Sequence, residues 1–237
     1  MSLKLFQMKL SIIIPVYNEE RTILEILKRV NNFKKDNSLY EVIIINDGST
    51  DKTLDLLKNN SHLYNNLVSY EKNNGKGYAV KEGLKHSKSE YVIFQDADLE
   101  YDPLEIQGFI DLIEKFNPDG IIGSRFIYSK YTRSHYFLNK IGNKLLTLIF
   151  NIFYNTTFTD VYSCYFCFKK ELLDDKKLQT HGFEQHAEIL CKVMKKGRIF
   201  YEIPISYNGR SHTEGKKIKF YHFFIVVLRI IIERVKS

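Results

Sequence analysis

The chain has 237 residues, 44% of them hydrophobic, 27% charged and 14% aromatic, a globular balance that excludes a disordered, collagen-like or disulfide-scaffolded protein. Its net charge of +7 is unevenly placed: residues 192–237 hold eleven Lys or Arg against three acids, so a tail of +8 follows a nearly neutral body and points to a local anionic partner. Three cysteines are too few for a disulfide framework, no signal-peptide pattern opens the sequence, and the longest apolar stretch, Phe220 to Ile232, is shorter than the roughly 20 residues of a spanning helix. A reducing, cytoplasmic setting is therefore expected.

In chain order, Leu10 to Tyr17 (LSIIIPVY) reads as a buried strand, and Ile23, Ile26, Leu27 and Val30 stand at helical spacing within Glu19 to Phe33. A second strand, Glu41 to Asn46, runs into Asp47-Gly48-Ser49-Thr50 and a helix from Asp51 to Leu57. Leu67 to Tyr70 is a weaker strand, Gly75 to His86 a helix after a glycine-rich turn, and Glu90 to Gln95 a fourth strand ending at Asp96. Strands apolar on both faces that alternate with helices imply a mostly parallel sheet covered on each side, with ligands at the carboxyl ends of its strands. Beyond Pro103 we expect a helix to Phe116, a strand Gly120 to Ser124, a helix Tyr136 to Tyr154, a strand Val161 to Phe168, a helix Phe183 to Lys195, a strand Ile199 to Ser206 and a last helix, Lys216 to Lys236. Cys164-x-x-Cys167 lies in an apolar pattern that favours strand packing over redox or zinc chemistry.

Polar residues collect at those carboxyl ends: Pro15, Tyr17, Asn18 and Glu19 after the first strand, Asp47 and Ser49 after the second, Asn73 to Lys76 after the third, and Asp96, Ala97, Asp98 and Glu100 after the fourth. Two carboxylates one residue apart at a strand end favour a hard divalent cation, although Asp-x-Asp alone also marks turns and caps. Asp47 either shapes a turn before a helix that Ser49 or Thr50 caps, or accepts hydrogen bonds from a ribose or base. Lys76 between two glycines is a loop residue or a neighbour of phosphate. Neither G-x-G-x-x-G nor G-x-x-x-x-G-K-[ST] occurs.

SIIIPVYNEE (Ser11 to Glu20), INDGSTDKT (Ile45 to Thr53), NNGKGYAVKEG (Asn73 to Gly83) and QDADLEYDP (Gln95 to Pro103) together resemble family 2 glycosyltransferases of the GT-A fold. GSRF, GNKLLT, TDVYSCYFCFKKELL, GFEQHAEI and EIPISYNGRSHTEGKKIKF extend the likeness, in order, to the polyprenyl-phosphate branch related to dolichol-phosphate mannose or glucose synthase. The resemblance implies inverting transfer of a hexose from a UDP- or GDP-linked donor to a polyprenyl phosphate. By motif position, Pro15, Tyr17, Glu19, Asp47, Lys76, Asp96 and Ala97 would surround the nucleotide sugar, and Asp96, Asp98 and Glu100 would hold Mg²⁺ or Mn²⁺. Family members often carry glutamine in place of Glu100. Arg125, Arg133, Arg210, Lys216 and Lys217 would hold the acceptor phosphate and diphosphate, with Asp98, Arg125 and Asp160 at the reaction centre; Asp160 matches the position of a general base in other family 2 enzymes and is here either a positioning or electrostatic carboxylate or a turn residue before a strand. Glu184 and Glu188 are candidates for the sugar pocket, and His186 for a packed or surface histidine.

The resemblance also implies a membrane-bound acceptor, reached from the cytoplasmic face by a peripheral protein that docks on the bilayer, on an integral membrane partner or as a homo-oligomer. We therefore expect a GT-A catalytic domain over residues 1–215 and a basic amphipathic helix over 216–237, with Lys219, Arg229, Arg234 and Lys236 turned to an anionic surface. Ile141 to Tyr154 is a second candidate, or else a core helix. Rival readings are a transferase extending a saccharide, against which the GSRF and EGKK segments argue, a catalytically silent nucleotide-binding scaffold, and a nucleic-acid-binding protein, whose apparent signature the motifs reassign to lipid phosphate.

Overall fold

A computed structural model describes residues 9–34, 40–127, 133, 137–209 and 221–236. The described strands are β1 (Leu10–Val16), β2 (Tyr40–Asp47), β3 (Asn66–Tyr70), β4 (Tyr91–Phe94), β5 (Gly120–Ser124), β6 (Phe166–Lys169) and β7 (Phe200–Pro204), joined in one sheet in the order β3-β2-β1-β4-β6-β5-β7. All neighbours are parallel except β6, which runs antiparallel between β4 and β5. The helices are α1 (Ile23–Lys34), α2 (Thr53–Asn59), α3 (Lys76–His86), α4 (Ile106–Phe116), α5 (Phe137–Tyr154), α6 (Gln185–Lys196) and α7 (Tyr221–Val235).

The apolar runs explain this layering. Alternate side chains of β1 enter opposite cores: Ile12 and Ile14 pack with α1, α2 and α4, whereas Ile13 packs with α3, α5, α6 and α7. Because both faces are covered, β1 and β2 lack the polar alternation of a half-exposed strand. The expected elements are present, with three shifts of physical interest. Helix α1 begins at Ile23 rather than Glu19, because residues 18–20 form a turn stitched to the loop after β2: Asn18 N donates to Ser49 Oγ at 3.0 Å, Thr50 N donates to Asn18 Oδ1 at 2.8 Å, and Glu19 N donates to Thr53 Oγ1 at 2.9 Å. Ser49 and Thr50 thus brace the neighbouring loop instead of capping α2. Strand β6 begins at Phe166, not Val161, since the preceding segment is pinned by side chains: Ser163 Oγ donates to Gly123 O, and Tyr101 Oη accepts from Cys164 N at 3.3 Å.

The third difference concerns the tail. Helix α7 is part of the fold: Val226 and Ile230 join the core of α5 and α6. Arg229, expected on an anionic surface, is buried instead, with Nη2 at 2.5 Å from Glu188 and 2.6 Å from Glu233. Lys192 approaches the same two carboxylates at 3.5 and 3.2 Å. Burial opposes the charge on Glu188, but bonds from Thr180 and Gln179, together with Arg229, hold its pKa below the ordinary value. Glu188 is therefore a strut between α6, α7 and the 179–180 turn, not a sugar-pocket residue.

Candidate active site

A cavity of about 330 Å³ opens at the carboxyl edge of the sheet. One wall is the start of α3 (Gly75, Lys76 and Gly77), which faces Asp96 and Glu100 beyond β4 and Arg125 beyond β5; Tyr162, Phe183, His186 and Tyr207 close the other side.

Asp47 sets the first wall. Its Oδ1 accepts the Asn74 amide at 3.0 Å and its Oδ2 the Gly75 amide at 2.8 Å, fixing the turn into α3. Gly48 holds φ at +71°, and a Cβ there would lie 2.5 Å from the Lys72 backbone; only glycine meets both demands. Gly77 donates to His181 O at 3.0 Å, and a Cβ on it would come within 2.4 Å of that carbonyl, so α3 and the 181–183 turn meet only where no side chain intervenes.

Lys76 reaches across the cavity to Asp96, Nζ to Oδ1 at 2.5 Å. Burial disfavours both charges, but each partner outweighs it: the Lys76 pKa stands above its ordinary value and that of Asp96 below. Asp98 accepts the Glu100 amide at 3.1 Å, and Glu100 accepts from Tyr207 Oη at 2.9 Å. Among the described residues no group of three or more His, Cys, Asp or Glu side chains is gathered to hold a metal ion. The expected set of Asp96, Asp98 and Glu100 is therefore not preassembled as a cage. Asp96 and Asp98 nevertheless supply hard oxygen donors only, which suits Mg²⁺ or Mn²⁺ bound through one or two carboxylates and completed by substrate phosphate oxygens.

Arg125 and Asp160, expected separately, form one unit. Nε donates to Oδ2 at 2.6 Å and Nη2 to Oδ1 at 2.9 Å, while Nη2 also donates to Tyr162 O at 3.1 Å. None of these bonds uses Nη1. The guanidinium lies 5.2 Å from the Tyr207 ring centre, and its pKa is raised by Asp160 against an opposing burial effect. Glu202 secures the loop beneath, accepting the amides of Thr159 at 2.9 Å and Asp160 at 3.0 Å. Arg133 is tied to the segment after β7, donating its amide to Tyr207 O and Nη1 to Gly209 O.

Of the expected site residues, Lys76, Asp96, Glu100 and Arg125 line the cavity. Pro15, Tyr17, Glu19, Asp47, Ala97 and Asp98 stand on the same sheet edge without lining it, and Asp160 lies buried behind Arg125. Arg210, Lys216, Lys217 and Lys219 fall outside the described residues. Tyr162 and Tyr207 are wall residues that motif chemistry did not single out, although they sit inside TDVYSCYFCFKKELL and EIPISYNGR; His186, expected as a packed or surface histidine, also lines the wall.

His186 carries a testable consequence. Its Nε2 lies 3.2 Å from Val161 O; a carbonyl only accepts, so Nε2 bears the hydrogen. Burial, reinforced by Lys76, pushes its pKa down to about 4 from 6.5. Between those values the unfolded chain binds a proton that the native state refuses, so stability falls as pH drops. The loss by pH 5 is about 2 kcal/mol. His186→Gln is expected to flatten denaturant-measured stability between pH 7 and pH 5 by that amount; an unchanged slope would show that another group sets it.

A doubly covered α/β sheet with a cavity lined by Lys76, Asp96, Glu100 and Arg125 at its carboxyl edge has the architecture of the GT-A fold. The glycosyl transferase family 2 profile matches residues 11–175, and the chain belongs to that family. It is 28% identical over 214 residues to a dolichol-phosphate mannosyltransferase of Pyrococcus furiosus, covering 88% of this chain and 59% of that one. It is 30% identical over 205 residues to the glycosyltransferase AglJ of Haloferax volcanii, covering 84% and 63%. The chain thus spans less than two thirds of these relatives' length. In fold it matches glucosyl-3-phosphoglycerate synthase from Mycobacterium tuberculosis, crystallised with Mn²⁺, UDP and glucosyl-3-phosphoglycerate, at a TM-score of 0.69, 16% identity, and 95% and 78% coverage.

Proposed function

We propose that this chain transfers a hexose from a UDP- or GDP-linked donor to a polyprenyl phosphate, with inversion, as a peripheral protein at the cytoplasmic membrane face. The observation that carries this reading is the placement of two cations, Lys76 and Arg125, on one cavity at the carboxyl edge of a family 2 fold. A reaction between a diphosphate donor and a phosphate acceptor brings anions together, and the protein's task is to hold them in line against their repulsion. Lys76 and the start of α3 face the donor diphosphate. Arg125, fixed as a fork by Asp160, presents its remaining nitrogen to the acceptor phosphate. That acceptor is already an anion and needs no strong base, which agrees with an Asp160 whose two oxygens are both occupied by Arg125.

Asp98 with Asp96 would hold a divalent cation; when bound, it supplies Lewis-acid stabilisation of the negative charge on the leaving diphosphate. Pro15, Tyr17, Glu19 and Asp47 flank the nucleoside side of the edge, and Arg210, Lys216 and Lys217, which lie outside the described residues, are assigned to the phosphates by motif position alone. In this reading residues 1–215 are the catalytic unit and residues 216–237, which include α7, associate with the membrane. The test is a panel of UDP- and GDP-hexoses incubated with undecaprenyl or dolichyl phosphate and Mg²⁺ or Mn²⁺. We expect one donor to yield a glycolipid whose formation stops on adding EDTA. Product on a saccharide acceptor alone would replace the proposal by that of a glycan-extending transferase.

A further inference from the structure

Helices α5 and α7 leave apolar stripes uncovered. On α5, Leu138, Ile141, Leu145, Leu148 and Ile152 recur at alternating steps of three and four, and with Phe137 they are exposed, Leu138 by 78% and Ile152 by 70%. On α7, Tyr221, Phe224, Ile225, Leu228 and Val235 are exposed in a similar register, Phe224 by 59%. The two helices pack side by side, bury their other faces (Leu146 and Phe150; Val226 and Ile230) in one core, and are bridged by Arg234 over the Tyr154 ring at 5.5 Å. Their outward faces therefore form one apolar surface, larger than the single exposed residues normal for a monomer.

Charge says what covers it. Helix α5 has no acidic residue, and the sole acid of α7, Glu233, is buried in the Arg229 pair. The exposed charges of the two helices include Lys140, Lys144 and Arg234 and no carboxylate. A second copy docked face to face would set these cations against their own kind without an acid to pair them. An anionic lipid surface satisfies both the apolar stripe and its cations. No described helix is long and apolar enough to cross a membrane, and an apolar face flanked by cations is of the kind that rests along a headgroup surface. It also adjoins the cavity: the Phe183 ring, which lines the cavity, sits 4.6 Å from that of His222 in the first turn of α7, and Thr147 of α5 accepts the Val161 amide beside Asp160.

We propose that α5 and α7 together are a docking face for an anionic bilayer, which sets the cavity mouth at headgroup level. This deepens the lipid-acceptor reading and rests on it for its purpose, but the experiment separates the two. The full chain is sedimented with phosphatidylcholine vesicles, and with the same vesicles containing phosphatidylglycerol, both free of polyprenyl phosphate and nucleotide sugar. We expect binding to the anionic vesicles alone, reduced at least tenfold by Leu148→Glu with Ile152→Glu, and about 25-fold by Lys140→Gln with Lys144→Gln, since each cation near such a surface is worth about a fivefold gain. All four sites are exposed, so the melting temperature should hold and exclude misfolding. Equal binding by the variants overturns the proposal, as does a wild-type dimer that Ile152→Glu dissociates. Absent vesicle binding with intact transfer to a short-chain soluble acceptor would sink the docking face and leave the proposed reaction standing.

Discussion

Asp98→Ala is expected to lower glycosyl transfer on the order of 10³-fold while the protein melts within a few degrees of wild type. One bond of Asp98 is local, the Glu100 amide to Oδ1 at 3.1 Å, and such a bond contributes about 1 kcal/mol to stability. For a chain of this size that is about 2–4 °C. In the proposed reaction the kinetic loss is larger, because Asp98 would hold a charge-neutralising ion at the diphosphate, where negative charge grows in the transition state, an effect of several kcal/mol. Asp98→Asn separates charge from shape: it keeps the turn acceptor and should lose as much transfer as the alanine variant. Asp96 should behave differently. Its carboxylate is engaged by Lys76 at 2.5 Å, so Asp96→Ala also leaves that lysine without its partner and should weaken donor binding as well as turnover. Transfer within tenfold of wild type in both Asp98 variants, measured with saturating donor, would remove Asp98 from the reaction centre.

Much of this edge was legible in the sequence because the first half of the fold is built from local, repetitive signals. Strands such as Leu10–Val16 and Tyr40–Asp47 are apolar on both faces and end where polar residues begin, and parallel pairing then forces those ends onto one edge. The second half depends on contacts between residues far apart. Val161 to Tyr165 has the composition of a strand, yet the segment is held open by Tyr101, Thr147 and Gly123. Arg229 looks like one more cation in a basic tail, and nothing within a few positions except Glu233 marks it as internal. The decisive acid, Glu188, lies on α6 and meets it only after α7 folds back across α5 and α6.

That relocation sharpens the meaning of the tail's charge. Arg229 serves the fold, while Arg234 remains exposed beside Tyr154 on the uncovered face. Through Glu188 the buried pair also reaches the turn at Gln179 and Thr180, which leads to His181 and its contact with Gly77. The helix that presents the apolar face thus braces, by a chain of direct bonds, the wall of the cavity on which Lys76 stands.

Breaking the Arg125–Asp160 fork is expected to be the most damaging change to the fold and the site together. Both side chains are almost wholly buried, so Asp160→Ala leaves an uncompensated guanidinium and Arg125→Ala an uncompensated carboxylate, each costing about 3–5 kcal/mol. Replacing both, as in Arg125→Met with Asp160→Leu, removes the two charges at once and should cost clearly less than the sum of the single losses, a coupling readable in denaturant midpoints. Activity should not follow stability. The double variant, refolded and stable enough to assay, still lacks the guanidinium that the proposal sets against the acceptor phosphate and should transfer no better than Arg125→Ala. Arg125→Lys supplies the third comparison: it keeps a positive charge against Asp160 but cannot form two parallel bonds, so part of the stability should return while transfer to the lipid stays depressed more than donor binding. Additive stability losses would show that the two residues do not act as a pair. Full transfer by Arg125→Lys would show that charge alone, without the fork held by Asp160, suffices for the proposed acceptor contact.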